Sequence, residues 1–168
     1  MSDVLTAPVA VAALVLVVAG IAKLRAPAPA VGALRQLGLP GGQPWVRVFA
    51  SFEIALGGWA LASPGGASAI AMACCYAVFA AVAILLAGRR AACGCFGEAD
   101  FPASRLQAFI SALLAAACAA AAAWPVHGVL DRPAGQALVL VIGIAASGYA
   151  TVLAYTLLPA AWSAWSTR

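Results

Sequence analysis

The chain has 168 residues, of which 65% are hydrophobic and only 8% are charged, and its formal net charge is +4. Because soluble domains usually carry about 25% charged residues, this composition excludes a water-soluble globular protein and indicates an integral membrane protein. The single histidine, and the lack of zinc-finger spacing or a phosphate-binding glycine loop, give no indication of a nucleic-acid partner.

Five apolar stretches are long enough to cross a bilayer, since a spanning helix needs about 20 residues. The first is predicted to be a retained helix and not a cleaved signal peptide, because Lys23 and Arg25 follow it and no basic residue precedes it. A Ser-Pro-Gly-Gly turn joins the second and third spans, and Ser104 and Gln107 have capping-box spacing before the fourth. The predicted spans are Val4–Ala22, Val46–Ala62, Ala67–Ala87, Arg105–Trp124 and Gln136–Leu158.

The sequence therefore predicts an all-α, polytopic membrane bundle in two parts. Residues 1–124 form a four-helix core, and residues 125–168 add an outer loop and a fifth, C-terminal membrane helix. By the positive-inside rule, we expect the N-terminus outside the inner (cytoplasmic) membrane and the loop between the third and fourth spans on the cytoplasmic side. This orientation puts eight of the nine basic residues inside: Lys23, Arg25, Arg35, Arg47, Arg89, Arg90, Arg105 and Arg168.

That cytoplasmic loop reads RRAACGCFGEAD over residues 89–100. A disulfide between Cys93 and Cys95 would close a very small ring, and strained disulfides are easily reduced. Gly94 supplies the backbone freedom that such a ring needs, and Arg89 and Arg90 favour thiolate over thiol. The pattern therefore favours redox chemistry at this pair, with Cys95 attacking and Cys93 resolving.

Three further cysteines lie inside predicted spans. At 1.5 Å per residue, Cys75 is roughly 18 Å and Cys118 roughly 20 Å from the loop side, so they are level with each other. Because neighbouring residues of a helix point about 100° apart, one of Cys74 and Cys75 is expected to face Cys118 as an internal dithiol. Taken singly, each is also compatible with a small buried packing residue.

One acidic residue is placed where a charge is costly. Glu53 lies roughly 10 Å inside the second span, and a carboxylate at that depth requires a partner or a function. The predicted partner is Lys23 or Arg47, and a proton-handling role is the alternative.

These elements together resemble the MauE branch of the DoxX-like membrane proteins over roughly residues 4–124. The resemblance implies a four-helix membrane bundle with thiol–disulfide chemistry that serves a thioredoxin-like partner. In methylamine utilisation it implies a link to maturation of a disulfide-rich dehydrogenase. The residues that carry it are Gly20-Ile21-Ala22-Lys23-Leu24-Arg25, Glu53-Ile54-Ala55-Leu56-Gly57, Arg89-Arg90 and Cys93-Gly94-Cys95-Phe96-Gly97.

The chain departs from this pattern in two respects. The fifth helix lies outside the usual four-helix core, and only Arg105 can take the place of the basic residue expected just inside the fourth helix. The resemblance also implies an extracytoplasmic partner, whereas the charge bias places Cys93 and Cys95 inside. A relay from the loop pair through the mid-membrane cysteines would remove this conflict.

The leading functional hypothesis is a membrane thiol–disulfide oxidoreductase. Electrons could also pass to a membrane quinone, with Trp59, Tyr76 or Phe79 as candidate lining residues. The expected partners are the lipid bilayer and a thioredoxin-like protein, with a homo-oligomer as a further option. The exchanging pair is Cys93 and Cys95, the internal pair is drawn from Cys74, Cys75 and Cys118, and the supporting residues are Arg89, Arg90, Gly94, Glu53 and Lys23.

Two other functions fit the same residues. A mercury or copper transporter would pass its soft metal ion between thiolate pairs, here Cys74 with Cys75 and Cys93 with Cys95. A structural membrane subunit would use the cysteines only for packing.

Overall fold

The computed structural model describes residues 2–89, 103–124 and 133–166, and these residues form helices and no strands. Five of the helices are long and apolar enough to cross a membrane, which confirms the predicted all-α polytopic membrane fold. The helices are α1 Ser2–Arg25, α2 Ala28–Gln36, α3 Gln43–Ala62, α4 Gly66–Gly88, α5 Arg105–Ala123 and α6 Ala134–Ser166.

The most extensive helix contacts join α1 to α3 and α4 to α5. Small side chains on these helices allow close packing, which matters in a bilayer because lipid provides no hydrophobic drive for helix association. A buried cluster from α1, α3, α4 and α5 forms the centre of the bundle, with Leu16, Met72 and Tyr76 as its largest fully buried members.

The sequence analysis did not predict α2, a nine-residue helix between the first two spans. Pro29 stands in its first turn, where a proline costs no hydrogen bond. Its end is set by Gly38, which has a positive φ of 74°, while the Leu39 N–H donates to the Leu34 carbonyl. This is the geometry of a glycine-terminated helix, and it turns the chain back toward α3.

The capping box predicted at the start of α5 is confirmed. Ser104 Oγ accepts a hydrogen bond from the Gln107 N–H at 3.2 Å, and the Gln107 side chain accepts one from the Ser104 N–H at 3.0 Å. The amide nitrogen of Gln107 also donates to the Tyr155 carbonyl at 3.0 Å. Ser111 Oγ lies 2.8 Å from the Tyr155 hydroxyl, so this polar group attaches α6 to α5.

Candidate functional site

The site begins with a close approach of α1 and α3. A Cβ atom added at Gly20 would lie 2.7 Å from the Ala50 carbonyl oxygen, and one added at Gly57 would lie 2.6 Å from that of Ala13. Both glycines therefore hold one helix backbone directly against the other. Lys23 follows Gly20 by one helical turn, so this contact brings Lys23 to the opposing face of α3.

Lys23 and Glu53 form a buried ion pair between the two helices. Lys23 Nζ donates to Glu53 Oε1 at 2.7 Å and to Oε2 at 2.9 Å. The exposed fraction is 6% for Lys23 and 0% for Glu53. Since an unpaired charge at this depth is expensive, each residue supplies the partner that the other requires. The predicted partner is thus Lys23, whereas Arg47 is exposed.

An aromatic group from α3 and α4 surrounds the lysine. Its ammonium lies 5.2 Å from the centroid of the Phe79 ring, which is within cation–π range. Phe79 packs edge-on against Tyr76 at 5.9 Å and against Phe49 at 6.0 Å between ring centroids. These rings form an aromatic wall beside the ammonium.

Two thiols lie in the same buried interior. Cys75 on α4 and Cys118 on α5 belong to the central cluster together with Tyr76, whereas Cys74 is exposed on the outer surface. None of these three cysteines is in a disulfide. Cys75 directly precedes Tyr76, whose ring packs on Phe79 beside the Lys23 ammonium.

The predicted exchanging pair lies outside the described residues. This applies to Cys93, Gly94 and Cys95 and also to Arg90. Arg89 is the last described residue before them, and its guanidinium donates to the Gln36 carbonyl at the end of α2. This contact attaches the end of α4 to α2.

Two cavities meet at Lys23. One of about 380 Å³ lies between α2, α3 and α4, and one of about 20 Å³ is lined by Tyr76, Ser111 and Tyr155. Phe79 lines both cavities, but Trp59 lines neither. The three residues named for a quinone site therefore do not share one cavity.

The alternative function, metal transfer, would need a cluster of metal-binding side chains in the three described segments. These segments hold no group of three or more His, Cys, Asp or Glu side chains that could bind a metal ion. Of the four metal-ligand candidates, Cys74 and Cys75 point to different environments, because one is exposed and the other buried.

Several polar residues of the bundle were not identified from the sequence. Ser111 and Tyr155 were missed because their contact joins residues 44 positions apart, and Tyr76 was considered only as an aromatic. Its hydroxyl donates to the Ala12 carbonyl at 2.6 Å, which joins α4 to α1. The sequence did offer one signal for these residues: each has a hydroxyl group within an apolar span, and such groups form hydrogen bonds between helices.

Tyr76→Phe is expected to destabilise the protein by about 0.5–1.5 kcal/mol, because it removes one interhelical hydrogen bond and leaves the packing unchanged. Unfolding followed by far-ultraviolet circular dichroism in detergent measures the change. Tyr149→Phe is the matched control, because Tyr149 is 67% exposed on α6. Equal effects of the two substitutions would contradict a role for the Tyr76 hydroxyl.

Comparison with known proteins identifies the relationship of this bundle. Residues 1–126 match the family model described as methylamine utilisation protein MauE. A search of curated proteins and of solved structures gives no match. The matched segment spans α1 to α5 and includes both thiols and the ion pair. The family match covers three quarters of the chain, and the chain therefore belongs to the MauE family of membrane proteins.

Proposed function

We propose that this protein is an integral membrane thiol–disulfide oxidoreductase that serves a thioredoxin-like partner. Cys93 and Cys95 form the exchanging pair, and Cys75 and Cys118 form the internal pair. The observation that carries the proposal is that two thiols from adjacent, closely packed helices share one buried cluster within the family-matched core. Family membership supports the same chemistry through the resemblance described above.

The exchange follows ordinary thiol–disulfide chemistry. The Cys95 thiolate attacks one sulfur of the partner's disulfide, and the other partner sulfur leaves as a thiolate. Cys93 then attacks the Cys95 sulfur, so that the partner departs as a dithiol and Cys93 and Cys95 are oxidised. Two electrons and two protons have passed to the partner, and the internal dithiol restores the loop pair by becoming a disulfide itself.

The orientation belongs to the same proposal. With the N-terminus outside and the CGCFG loop inside, α4 and α5 lead from the cytoplasmic loop to the two buried thiols. Each of these exchanges is reversible: in the reverse direction a reduced cytoplasmic partner reduces the loop disulfide, the loop dithiol reduces the internal disulfide, and the internal pair carries reducing equivalents outward. In methylamine utilisation, the recipient would act in maturation of a disulfide-rich enzyme.

A trapping experiment tests the exchange. The partner is a thioredoxin-like protein without its own resolving cysteine, whose remaining cysteine is held as a mixed disulfide with 5-thio-2-nitrobenzoate, so that the aromatic thiolate leaves when a thiolate of the membrane protein attacks. It is incubated with single Cys→Ser variants of the membrane protein. We expect Cys93→Ser to accumulate a mixed disulfide and Cys95→Ser to form none. Cys75→Ser and Cys118→Ser should still form it but fail to complete repeated turnover.

Cys74→Ser is the matched control, because its thiol is exposed on the same helix as Cys75 and should behave as the unaltered protein. Turnover that survives Cys75→Ser or Cys118→Ser but fails in Cys74→Ser would contradict the internal pair. Tight binding of Hg²⁺ or Cu⁺ with no mixed disulfide in any variant would replace the proposal with metal transfer.

A further inference from the structure

The larger cavity opens at the surface of the bundle. Its walls come from α2, α3 and α4, with Ala30 on α2 and Val82 on α4. Trp45 and Val78 also line it and are 71% and 56% exposed, respectively, so they mark a mouth on the outer surface of the bundle. Its volume of about 380 Å³ falls in the usual range of small-molecule sites, about 300–1,000 Å³. A ligand would therefore enter from the bilayer.

The polar end of this cavity is the ammonium of Lys23. An ammonium has three N–H donors, and Glu53 accepts two hydrogen bonds from it. No other hydrogen-bond acceptor contacts Lys23 among residues 2–89, 103–124 and 133–166. Since Lys23 lines the cavity, one donor is available to a ligand in an otherwise apolar space.

The charge of the pair restricts the ligand. Lys23 and Glu53 together are neutral, so a bound anion would leave a net negative charge buried in the membrane, which is costly. A neutral ligand with a carbonyl oxygen can accept the hydrogen bond without this cost. The pair therefore favours a neutral acceptor over a fatty acid anion.

The aromatic residues beside the ammonium favour a flat head group. Phe49 and Phe79 both line the cavity, with their rings at 83° to each other, and aromatic rings pack well in such edge-to-face arrangements. We propose that the cavity binds a membrane quinone. Its ring lies against Phe49 and Phe79, one carbonyl accepts from Lys23, and its isoprenoid tail leaves past Trp45 and Val78. This binding does not depend on the thiol exchange proposed above.

The binding test uses the full-length protein in quinone-free phosphatidylcholine nanodiscs and a benzoquinone with a ten-carbon tail. Quinones quench tryptophan fluorescence, and Trp45 lines the cavity. A variant that retains Trp45 and carries phenylalanine at the other four tryptophans should show saturable quenching. Trp45→Phe alone should show only the linear quenching of quinone dissolved in the bilayer.

Variants within the cavity locate the site. Ala30→Phe on α2 and Val82→Phe on α4 fill it from two different helices and should each raise the Kd at least about tenfold. Val48→Phe is the matched control, because it adds bulk on the exposed side of α3, and its Kd should stay within about twofold. Lys23→Met/Glu53→Leu removes the donor while leaving no unpaired charge, and it should weaken binding about tenfold, the effect of one hydrogen bond to a charged group.

Four outcomes would overturn the proposal. They are quenching that never saturates, a Val48→Phe effect equal to those of the cavity variants, unchanged affinity in the Lys23→Met/Glu53→Leu protein, and displacement of the quinone by a ten-carbon fatty acid at equal concentration. A variant with all five cysteines replaced by serine should bind the quinone normally. Failure of thiol trapping and failure of quinone binding are thus separate results.

Discussion

Glu53→Leu is expected to destabilise the protein by about 3–5 kcal/mol, because it leaves the Lys23 ammonium buried without its partner. Lys23→Met should destabilise the protein by a similar amount, because it leaves the Glu53 carboxylate buried without its cation. The double variant Lys23→Met/Glu53→Leu should recover most of this loss, since apolar side chains of similar size replace a buried pair at little net cost. Glu53→Gln should be tolerated better than Glu53→Leu because it retains an acceptor. Unfolding in mixed detergent micelles, followed by helical content, measures all four variants.

Arg47→Met is the control for that series. Like Lys23→Met, it replaces a cation by methionine, here on α3. Because Arg47 is exposed, the change in unfolding free energy should stay within about 0.5 kcal/mol. A double variant as unstable as the sum of the two single variants would contradict the pairing. If every Glu53 variant folded normally and all lost activity, proton transfer would replace structural pairing as the role of Glu53.

Gly57→Ala is expected to destabilise the protein by about 1–3 kcal/mol through overpacking. The new methyl group would meet the Ala13 carbonyl at 2.6 Å, and this backbone atom cannot move away as a flexible side chain could. In Gly20→Ala, the new methyl group would clash with the Ala50 carbonyl oxygen in the same manner. This substitution should also separate Lys23 from Glu53. Thermal unfolding of the purified variants measures the effect.

The neighbouring glycine supplies a matched control. No atom lies within 4 Å of a Cβ added at Gly58, so Gly58→Ala should leave stability unchanged or raise it slightly, because alanine favours helix over glycine. Equal destabilisation by Gly57→Ala and Gly58→Ala would show that helix flexibility matters here and not the close approach of α1 and α3.

Much of the architecture could be predicted because a membrane span is a one-dimensional signal. A run of about 20 apolar residues indicates a spanning helix whatever its neighbours are, and the predicted start of the second span at Val46 lies three residues after the start of α3 at Gln43. The short helix α2 gave no such signal. Its nine residues are too few to span, although Pro29 and Gly38 mark its two ends.

The site could be predicted only in part, since it depends on how the helices are rotated. Depth placed Cys118 level with Cys74 and Cys75, but rotation decides that Cys75 is buried and Cys74 exposed. The need of Glu53 for a cation was evident from its depth. Lys23 could have been preferred over Arg47 from the sequence, because Arg47 and Glu53 are six residues apart on one helix, which places them about 120° apart around its axis.

The electrical neutrality of the Lys23–Glu53 pair limits the work that a membrane voltage does on these two side chains. A potential of 100 mV exerts about 2.3 kcal/mol on each elementary charge that crosses it. Two opposite charges joined at 2.7 Å cancel almost all of this force, so the potential does little work on α1 and α3. Protonation of Glu53 would end the cancellation and leave one positive charge within the membrane field. Any step that puts a proton on Glu53 is therefore coupled to the energised state of the membrane.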